Sequence, residues 1–135
     1  MGVVFPYTKL PGGNARPMVF GTLQYATKYT PPVQLLLDTG SDYCIFDALL
    51  AQQLLGINVA SAGRLTKLFG LEREVDAYVL PIAVHIRELK RTFEIPEAYF
   101  CTLGNLGGIL GHHGFLDCVS VRFQRGKSFE FVDSD

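Results

Sequence analysis

A tetrapeptide that follows a short apolar run carries the residue types in this sequence that are best suited to acid–base chemistry. Asp38 comes directly after the run at residues 33–37 and is followed by Thr39, Gly40 and Ser41. These small residues allow a tight loop, and their hydroxyl and backbone N–H groups can be aimed at the Asp38 carboxylate. A carboxylate held in such a loop can donate or accept a proton during a reaction. Asp, Thr and Gly are also common turn residues, so a plain turn at the end of a strand is the alternative.

The apolar run before Asp38 is the element that must position this carboxylate. The run is too short for a helix, and Pro31 and Pro32 precede it, so residues 33–37 predict a buried strand. Such a strand delivers Asp38 straight into the loop.

A second strand and a short helix are predicted after the loop. Ile45 and Phe46 resume an apolar strand, Asp47 can cap a helix over residues 48–55, and Gly56 ends that helix. We expect this helix to pack against the rest of the chain without a chemical role.

Apolar runs and alternating apolar residues predict the remaining strands. These strands are residues 18–25, two short strands at 93–95 and 98–103, and a terminal hairpin of 119–123 and 129–131 that turns at 124–127.

The length and composition of the chain favour one all-β domain. With 135 residues the chain can bury one sizeable core but not two independent ones. Ten Phe, six Tyr and 14 Gly favour short strands that are joined by turns. Residues 1–16 are rich in Pro and Gly and predict a leader with a mobile tail, in which residues 3–5 can pair as an edge strand. Residues 17–135 predict the single domain.

The charge and the apolar runs disfavour nucleic acids and membranes as partners. The net charge is −1 and the Lys and Arg residues are dispersed, so the chain lacks the electrostatic footprint that binds polyanions. No apolar run approaches the length that spans a membrane. Cys44, Cys101 and Cys118 have spacings that fit neither a disulfide framework nor a CxxC metal site, and they predict buried free thiols. We therefore expect a cytoplasmic protein.

A second stretch, GILGHHGFLD at residues 108–117, completes a pattern that begins with the DTGS loop. Ile109 and Leu110 lead into Gly111, and a short apolar, helix-like segment follows. Together the two stretches resemble the retropepsin family, the retroviral-type aspartic proteases of clan AA. In that family the DTG loop supplies the catalytic Asp, and a later apolar-apolar-Gly element passes behind it before a short helix.

The resemblance implies a retropepsin-like acid-protease fold, which is all-β, with a closed barrel-like sheet and one or two short helices. It implies that Asp38, Thr39 and Gly40 are the catalytic residues and that Ser41 and Asp42 contact the substrate. Aspartic proteolysis needs two carboxylates that share a proton, and this chain has one DTG. The resemblance therefore implies an aspartic endopeptidase that cleaves polypeptides as a homodimer. The alternative is a catalytically weak domain of this fold that binds peptides or mediates dimerisation.

Residues 61–86 predict a long hairpin whose arms are residues 64–69 and 74–86. The resemblance makes this hairpin the flap that closes over the substrate. The side chains then expected to contact the substrate are Leu68, Phe69 and Gly70 near the tip, with Ile82 and Ile109 in the walls. A plain surface hairpin is the alternative.

The three histidines predict neither a metal site nor a cofactor site. His112 and His113 are adjacent, and adjacent histidines rarely bind one metal ion together. No Cys or acidic residue lies at ligand spacing from these two residues or from His85. Retropepsins usually carry Arg where this chain has His112, and that Arg pairs with the acidic residue just past the DTG-small tetrapeptide, here Asp42. We therefore expect an Asp42–His112 ion pair, which would make the assembled site acid-dependent.

Overall fold

The computed structural model describes residues 2–69, 74–104 and 106–132 of the chain. Its strands are β1 (Val3–Pro6), β2 (Thr8–Lys9), β3 (Ala15–Arg16), β4 (Met18–Tyr25), β5 (Lys28–Tyr29), β6 (Val33–Leu37), β7 (Ile45–Asp47), β8 (Arg64–Phe69), β9 (Glu74–Ile86), β10 (Arg91–Cys101), β11 (Gly108–Leu110), β12 (Ser120–Gln124) and β13 (Ser128–Val132). Its helices are α1 (Ala48–Leu55) and α2 (Val59–Ala62), with 3-10 turns at Arg87–Leu89 and Leu116–Cys118.

Six strands close into a barrel. Strand β4 pairs with both β6 and β9, which completes the ring β4-β6-β11-β7-β10-β9. Strand β5 adds to β4 outside this ring, and β8 adds to β9. The prediction of an all-β fold with a closed barrel-like sheet and one or two short helices is confirmed.

The main core lies where the strands turn their apolar faces toward each other. On β4, Val19 and Leu23 are buried whereas Phe20 is 53% exposed, which is the alternation of a strand with one core face. The bulkiest fully buried side chains are Phe46, Phe100, Phe115 and Phe129. Burial of each such side chain stabilises the fold by about 1.5–3 kcal/mol.

Strand β11 separates two strands that are close neighbours in the sequence. It runs parallel to β6, with Leu110 opposite Leu37, and antiparallel to β7, with Ile109 opposite Ile45. Strands β6 and β7 therefore do not form a hairpin, and the loop at residues 38–44 crosses the end of β11.

Helix α1 has the predicted bounds and packs on the core through Ala51 and Leu55, which are one turn apart. Gly56 ends the helix with a left-handed φ of 66°, a conformation that favours glycine. Asp47 precedes the helix, but its carboxylate makes no cap hydrogen bond. Its Oδ1 atom instead accepts the N–H of Leu103 at 3.2 Å, which ties α1 to the segment after β10.

Strand β10 is one strand where two short ones were expected. Its register with β9 shifts between Ile95 and Ala98, so a bulge replaces the predicted break. Pro96 lies in this bulge, and a bulge tolerates proline because the ladder already lacks a hydrogen bond there.

A second, three-stranded sheet joins the two ends of the described chain in the order β1-β13-β12. The predicted terminal hairpin is confirmed, and it turns through residues 125–127, where Arg125 and Gly126 have positive φ angles of 54° and 70°, as is typical of tight hairpin turns. Phe5 of β1 stacks on Phe129 of β13 with a centroid distance of 5.3 Å. Part of the predicted leader is therefore built into a sheet, and the boundary of the domain at residue 17 stays a prediction.

Within the described residues, no helix is long and apolar enough to cross a membrane. The three cysteines are free, but only Cys44 is buried, while Cys101 is half-buried and Cys118 is exposed. The prediction that all three are buried therefore holds for Cys44, holds only in part for Cys101, and is wrong for Cys118, because the 3-10 turn that ends in Cys118 leaves it facing solvent.

Candidate active site

The loop that carries Asp38 begins at the end of a barrel strand with partners on both sides. Strand β6 lies between β4 and β11, and the N–H of Asp38 continues this pairing by donating to the Leu110 carbonyl oxygen at 3.1 Å. The position of the Asp38 backbone is therefore fixed by the sheet, and its side chain is half-buried.

The Asp38 carboxylate is held by the loop that follows it. Its Oδ1 atom accepts the N–H of Gly40 at 2.9 Å, and the Asp38 carbonyl oxygen accepts the N–H of Ser41 at 3.2 Å. The Ser41 hydroxyl donates to the Tyr43 carbonyl oxygen at 2.7 Å. Oδ2 of Asp38 has no hydrogen-bond partner among the described residues, so this oxygen is available to a ligand or to water.

The segment after β11 packs against the back of this loop. A Cβ atom on Gly111 would lie 2.5 Å from the Ser41 carbonyl oxygen and closer still to that of Tyr43, so only glycine fits there. The N–H groups of His112 and His113 donate to the carbonyl oxygens of Ser41 and Asp42, at 3.0 and 2.8 Å. The loop is therefore held by backbone hydrogen bonds along much of its length.

The predicted Asp42–His112 ion pair is wrong. Nε2 of His112 lies 2.8 Å from the Thr39 carbonyl oxygen, and since a carbonyl oxygen only accepts, Nε2 carries the proton and donates. Asp42 is exposed and meets this segment through its backbone, as the acceptor of the His113 N–H. An exposed ion pair would have gained little free energy, whereas the Thr39 carbonyl oxygen lies within hydrogen-bond distance of the imidazole.

The predicted hairpin is confirmed as β8 and β9, which pair from Arg64 opposite Val79 to Phe69 opposite Glu74. Leu68 is half-buried, and Phe69 is 81% exposed. Gly70 lies outside the described residues.

Ile109 and Ile82, the two predicted wall residues, have different surroundings. Ile109 is half-buried and sits between Leu36 and Ile45 on the face of β11 opposite the core-facing Leu110. Ile82 is 4% exposed and belongs to the main core, where its strand pairs it with Ile95. The prediction that Ile82 contacts the substrate is therefore wrong.

A second, smaller apolar cluster joins the loop to the hairpin. Its buried members are Ala77, Val79 and Tyr99, and Tyr43, Ile45, Leu68 and Cys101 pack against them. The rings of Tyr43 and Tyr99 lie 4.4 Å apart, and removal from water raises the pKa of the Tyr99 phenol. Sequence reasoning missed both tyrosines because their positions are far apart in the chain and follow no motif.

Cys44 is the last residue of the loop, and its buried thiol is unreactive at neutral pH. Its Sγ atom is 3.6 Å from the His113 carbonyl oxygen and 3.9 Å from that of Gly111. Burial raises the pKa of the Cys44 thiol to about 11, so the thiolate that would act as a nucleophile is scarce.

The histidines do not converge on a common point. Nδ1 of His85 is 2.8 Å from the Thr92 hydroxyl, whereas His112 contacts Thr39 and the ring of His113 lies 5.1 Å from that of Tyr43. Within the part of the chain that the structure describes, no three His, Cys, Asp or Glu side chains are grouped closely enough to hold a metal ion.

The fold is that of retropepsin-like aspartic proteases. The structure is similar to that of a retropepsin-like aspartic protease from Rickettsia conorii, with a TM-score of 0.67 and 13% identity, over 97% of this chain and 92% of the other. It is also similar to EIAV protease in complex with the inhibitor HBY-793, with a TM-score of 0.51 and 20% identity, over 72% of this chain and 82% of the other. No protein-family model and no curated protein sequence matches the chain. At these identities the similarity shows the fold and leaves the chemistry to be argued from the site.

Proposed function

We propose that this chain is an aspartic endopeptidase that works as a homodimer. The observation that carries the proposal is the Asp38 carboxylate, which sits on a tight loop at the end of a barrel strand. One of its oxygens is fixed by the Gly40 N–H and the other has no protein partner among the described residues. Such a carboxylate can hold and activate a water molecule.

Peptide hydrolysis by this chemistry needs a second carboxylate. One carboxylate, ionised, takes a proton from the attacking water, while the other, protonated, gives a proton to the oxygen of the scissile carbonyl. Two carboxylates close together share one proton, since their negative charges repel. The chain has one DTG loop, so we propose that a two-fold axis brings Asp38 of a second copy beside the first.

The other loop residues would then position the dimer and the substrate. We propose that the Thr39 side chain links the two loops, and that Gly40 and Ser41 flank the backbone of the bound peptide. The exposed carboxylate of Asp42 would contact the same peptide.

The hairpin would supply the apolar part of the substrate site. Ile45 and Leu68 pack on the same cluster, so the part of the β8–β9 hairpin near its bend is joined to the strand that follows the loop. We propose that the exposed Phe69, with Gly70 beyond it, closes over an extended peptide while Leu68 and Ile109 line its path.

The alternative is a domain of the same fold that binds peptides or dimerises without turnover. The intact DTGS loop argues against it, because a scaffold gains nothing from two carboxylates that repel each other at a symmetry axis. We also propose a cytoplasmic location, since the three free thiols suit a reducing compartment.

Incubation of the purified protein with casein from acidic to neutral pH tests the proposal. We expect cleavage that a pepstatin-type or retroviral protease inhibitor suppresses. A variant with Glu88→Gln, an exposed carboxylate on the Arg87–Leu89 turn, controls for surface charge and should cleave equally well. Absence of cleavage at every pH, with a dimer present, would favour the non-catalytic alternative.

A further inference from the structure

The peptide group between Thr39 and Gly40 connects two side chains that do not touch each other. Its carbonyl oxygen lies 2.8 Å from Nε2 of His112, and its N–H donates to Oδ1 of Asp38 at 2.9 Å. One peptide group therefore accepts a hydrogen bond from His112 and donates one to Asp38.

We propose that His112 is a positioning residue for Asp38 that acts through this shared peptide group. The inference rests on the proposed function, in which Asp38 is the reacting carboxylate. It assigns His112 two effects, which are to fix the plane of the Thr39–Gly40 peptide and to make the Gly40 N–H a stronger donor.

The second effect follows from the electronic structure of the amide. A proton donor at the carbonyl oxygen draws electron density from nitrogen, because C–N has partial double-bond character, and this leaves the N–H more positive. Linked hydrogen bonds strengthen each other in this way by about 10–30% per bond. A neutral imidazole that carries its proton on Nε2 is sufficient, so the link does not require a charged His112.

The imidazole is well placed because the backbone of His112 is fixed. Its N–H donates to the Ser41 carbonyl oxygen, and its own carbonyl oxygen accepts the N–H groups of Phe115 and Asp117, at 3.2 and 3.0 Å. Gly111 lets this turn lie directly against the loop. Because its backbone is already fixed, the His112 side chain can hold the Thr39 carbonyl oxygen in place without a large loss of conformational entropy.

The bond between His112 and Thr39 is exposed in a single chain, where water competes with it. The proposed dimer would bring two such loops together and remove water from around them. A hydrogen bond in a less polar environment is stronger, so the link would contribute most in the assembled enzyme.

His113 provides a matched control for His112. It is the adjacent residue and is also exposed, but its ring lies against the Tyr43 ring instead of the peptide group between Thr39 and Gly40. Replacement of His113 therefore removes an imidazole from the same turn and leaves the peptide between Thr39 and Gly40 unchanged.

The test compares His112→Leu, His112→Gln and His113→Leu in the full chain. Leu has similar bulk and no donor, whereas the side-chain amide of Gln reaches about as far as Nε2 and can donate. In His112→Leu we expect kcat to fall roughly three- to tenfold with little change in KM, as the loss of one hydrogen bond predicts. His112→Gln should restore most of kcat, and His113→Leu should leave it unchanged.

A second measurement is independent of turnover. The NMR frequency of the Gly40 amide proton reports the strength of its bond to Asp38, and it should move upfield in His112→Leu but not in His113→Leu. An unmoved Gly40 proton together with an unchanged kcat would overturn the inference, as would a Gln variant as impaired as the Leu variant. If the wild-type protein cleaves nothing, the proposed function fails, and the Gly40 proton still decides whether His112 acts on the loop.

Discussion

Gly111 lies so close to Ser41 that a single methyl group at Gly111 would come within 2.5 Å of the Ser41 carbonyl oxygen. Both obstacles are backbone atoms, since the Tyr43 carbonyl oxygen is closer still. Backbone that is held by hydrogen bonds cannot rotate away as a side chain would. The position of the carboxylate loop therefore depends on the absence of a side chain on a different segment.

Gly111→Ala should accordingly destabilise the fold and displace the loop. Overpacking of this kind costs about 1–3 kcal/mol, and we expect a loss in the upper part of that range in urea unfolding. Gly126→Ala is the control, because Gly126 has a φ of +70° and open space around it, so it carries backbone strain without a clash. If both variants lost the same stability, the close approach at Gly111 would not be the cause.

Asp38→Asn should abolish cleavage and leave the fold and the dimer intact. Asn keeps the shape of Asp and an oxygen that can accept the Gly40 N–H. It has no acidic carboxyl proton to share with a second carboxylate. Cleavage measured beside circular dichroism and sedimentation would separate lost chemistry from lost structure. Full turnover by a clean preparation of this variant would contradict the assignment of Asp38.

Mixing wild type with Asp38→Asn tests whether two copies build one site. In an equal mixture that exchanges subunits freely, about a quarter of the dimers contain two wild-type chains. Activity should therefore fall to about half that of the same amount of wild type alone, because mixed dimers lack one carboxylate. Activity that stays proportional to the wild-type chain would indicate a site within a single chain.

Phe69→Ala should raise KM for an extended peptide several-fold and leave stability nearly unchanged. Phe69 is 81% exposed, so it contributes little to the fold, but contact with a substrate would bury apolar area worth about 25 cal/mol per Å². Leu65→Ala is the control, since Leu65 is on the same face of β8, is 56% exposed and lies farther from the bend. Equal effects of the two variants on KM would remove Phe69 from the substrate site.

The stability of the protein should fall at alkaline pH through Cys44. Burial raises the pKa of this thiol from 9.0 to about 11, so the unfolded chain loses its proton first. The stabilisation of the protonated form is fully present below about pH 9 and is lost as the pH rises toward about 11, a difference of about 2–3 kcal/mol. Urea unfolding from pH 8 to 11 should show a smaller fall in Cys44→Ala, and parallel curves for the two proteins would contradict this role of the thiol.

Local patterns were sufficient to predict most strands. The predicted bounds are correct for strand β4, for both arms of the β8–β9 hairpin and for helix α1. These bounds follow from the spacing of apolar residues and from glycines such as Gly56, which influence the structure within a few residues. The break at Pro96 was a local signal as well, but pairing with β9 continues past it through a bulge. Tertiary pairing there overrides the local preference.

The details of the site depended on contacts that local patterns do not carry. The loop residues and the segment behind them were identified from motifs, whereas the direction of the His112 side chain follows from the backbone geometry after Gly111. The acceptor of that imidazole is a backbone carbonyl oxygen, which every residue has, so no residue type indicated Thr39. The contact of Tyr43 with Tyr99 similarly joins two segments whose proximity is set only by the closed barrel.

The insertion of β11 between β6 and β7 has a consequence for the order of events during synthesis. The N–H of Asp38 donates to the Leu110 carbonyl oxygen, and β7, which also pairs with β10, gains its second neighbour only when β11 is present. A ribosome releases residues 33–47 long before residues 108–110, so the nascent chain holds an unformed carboxylate loop until nearly the whole domain has emerged. The proposed endopeptidase would therefore have no formed catalytic loop until residues 108–110 have been synthesised.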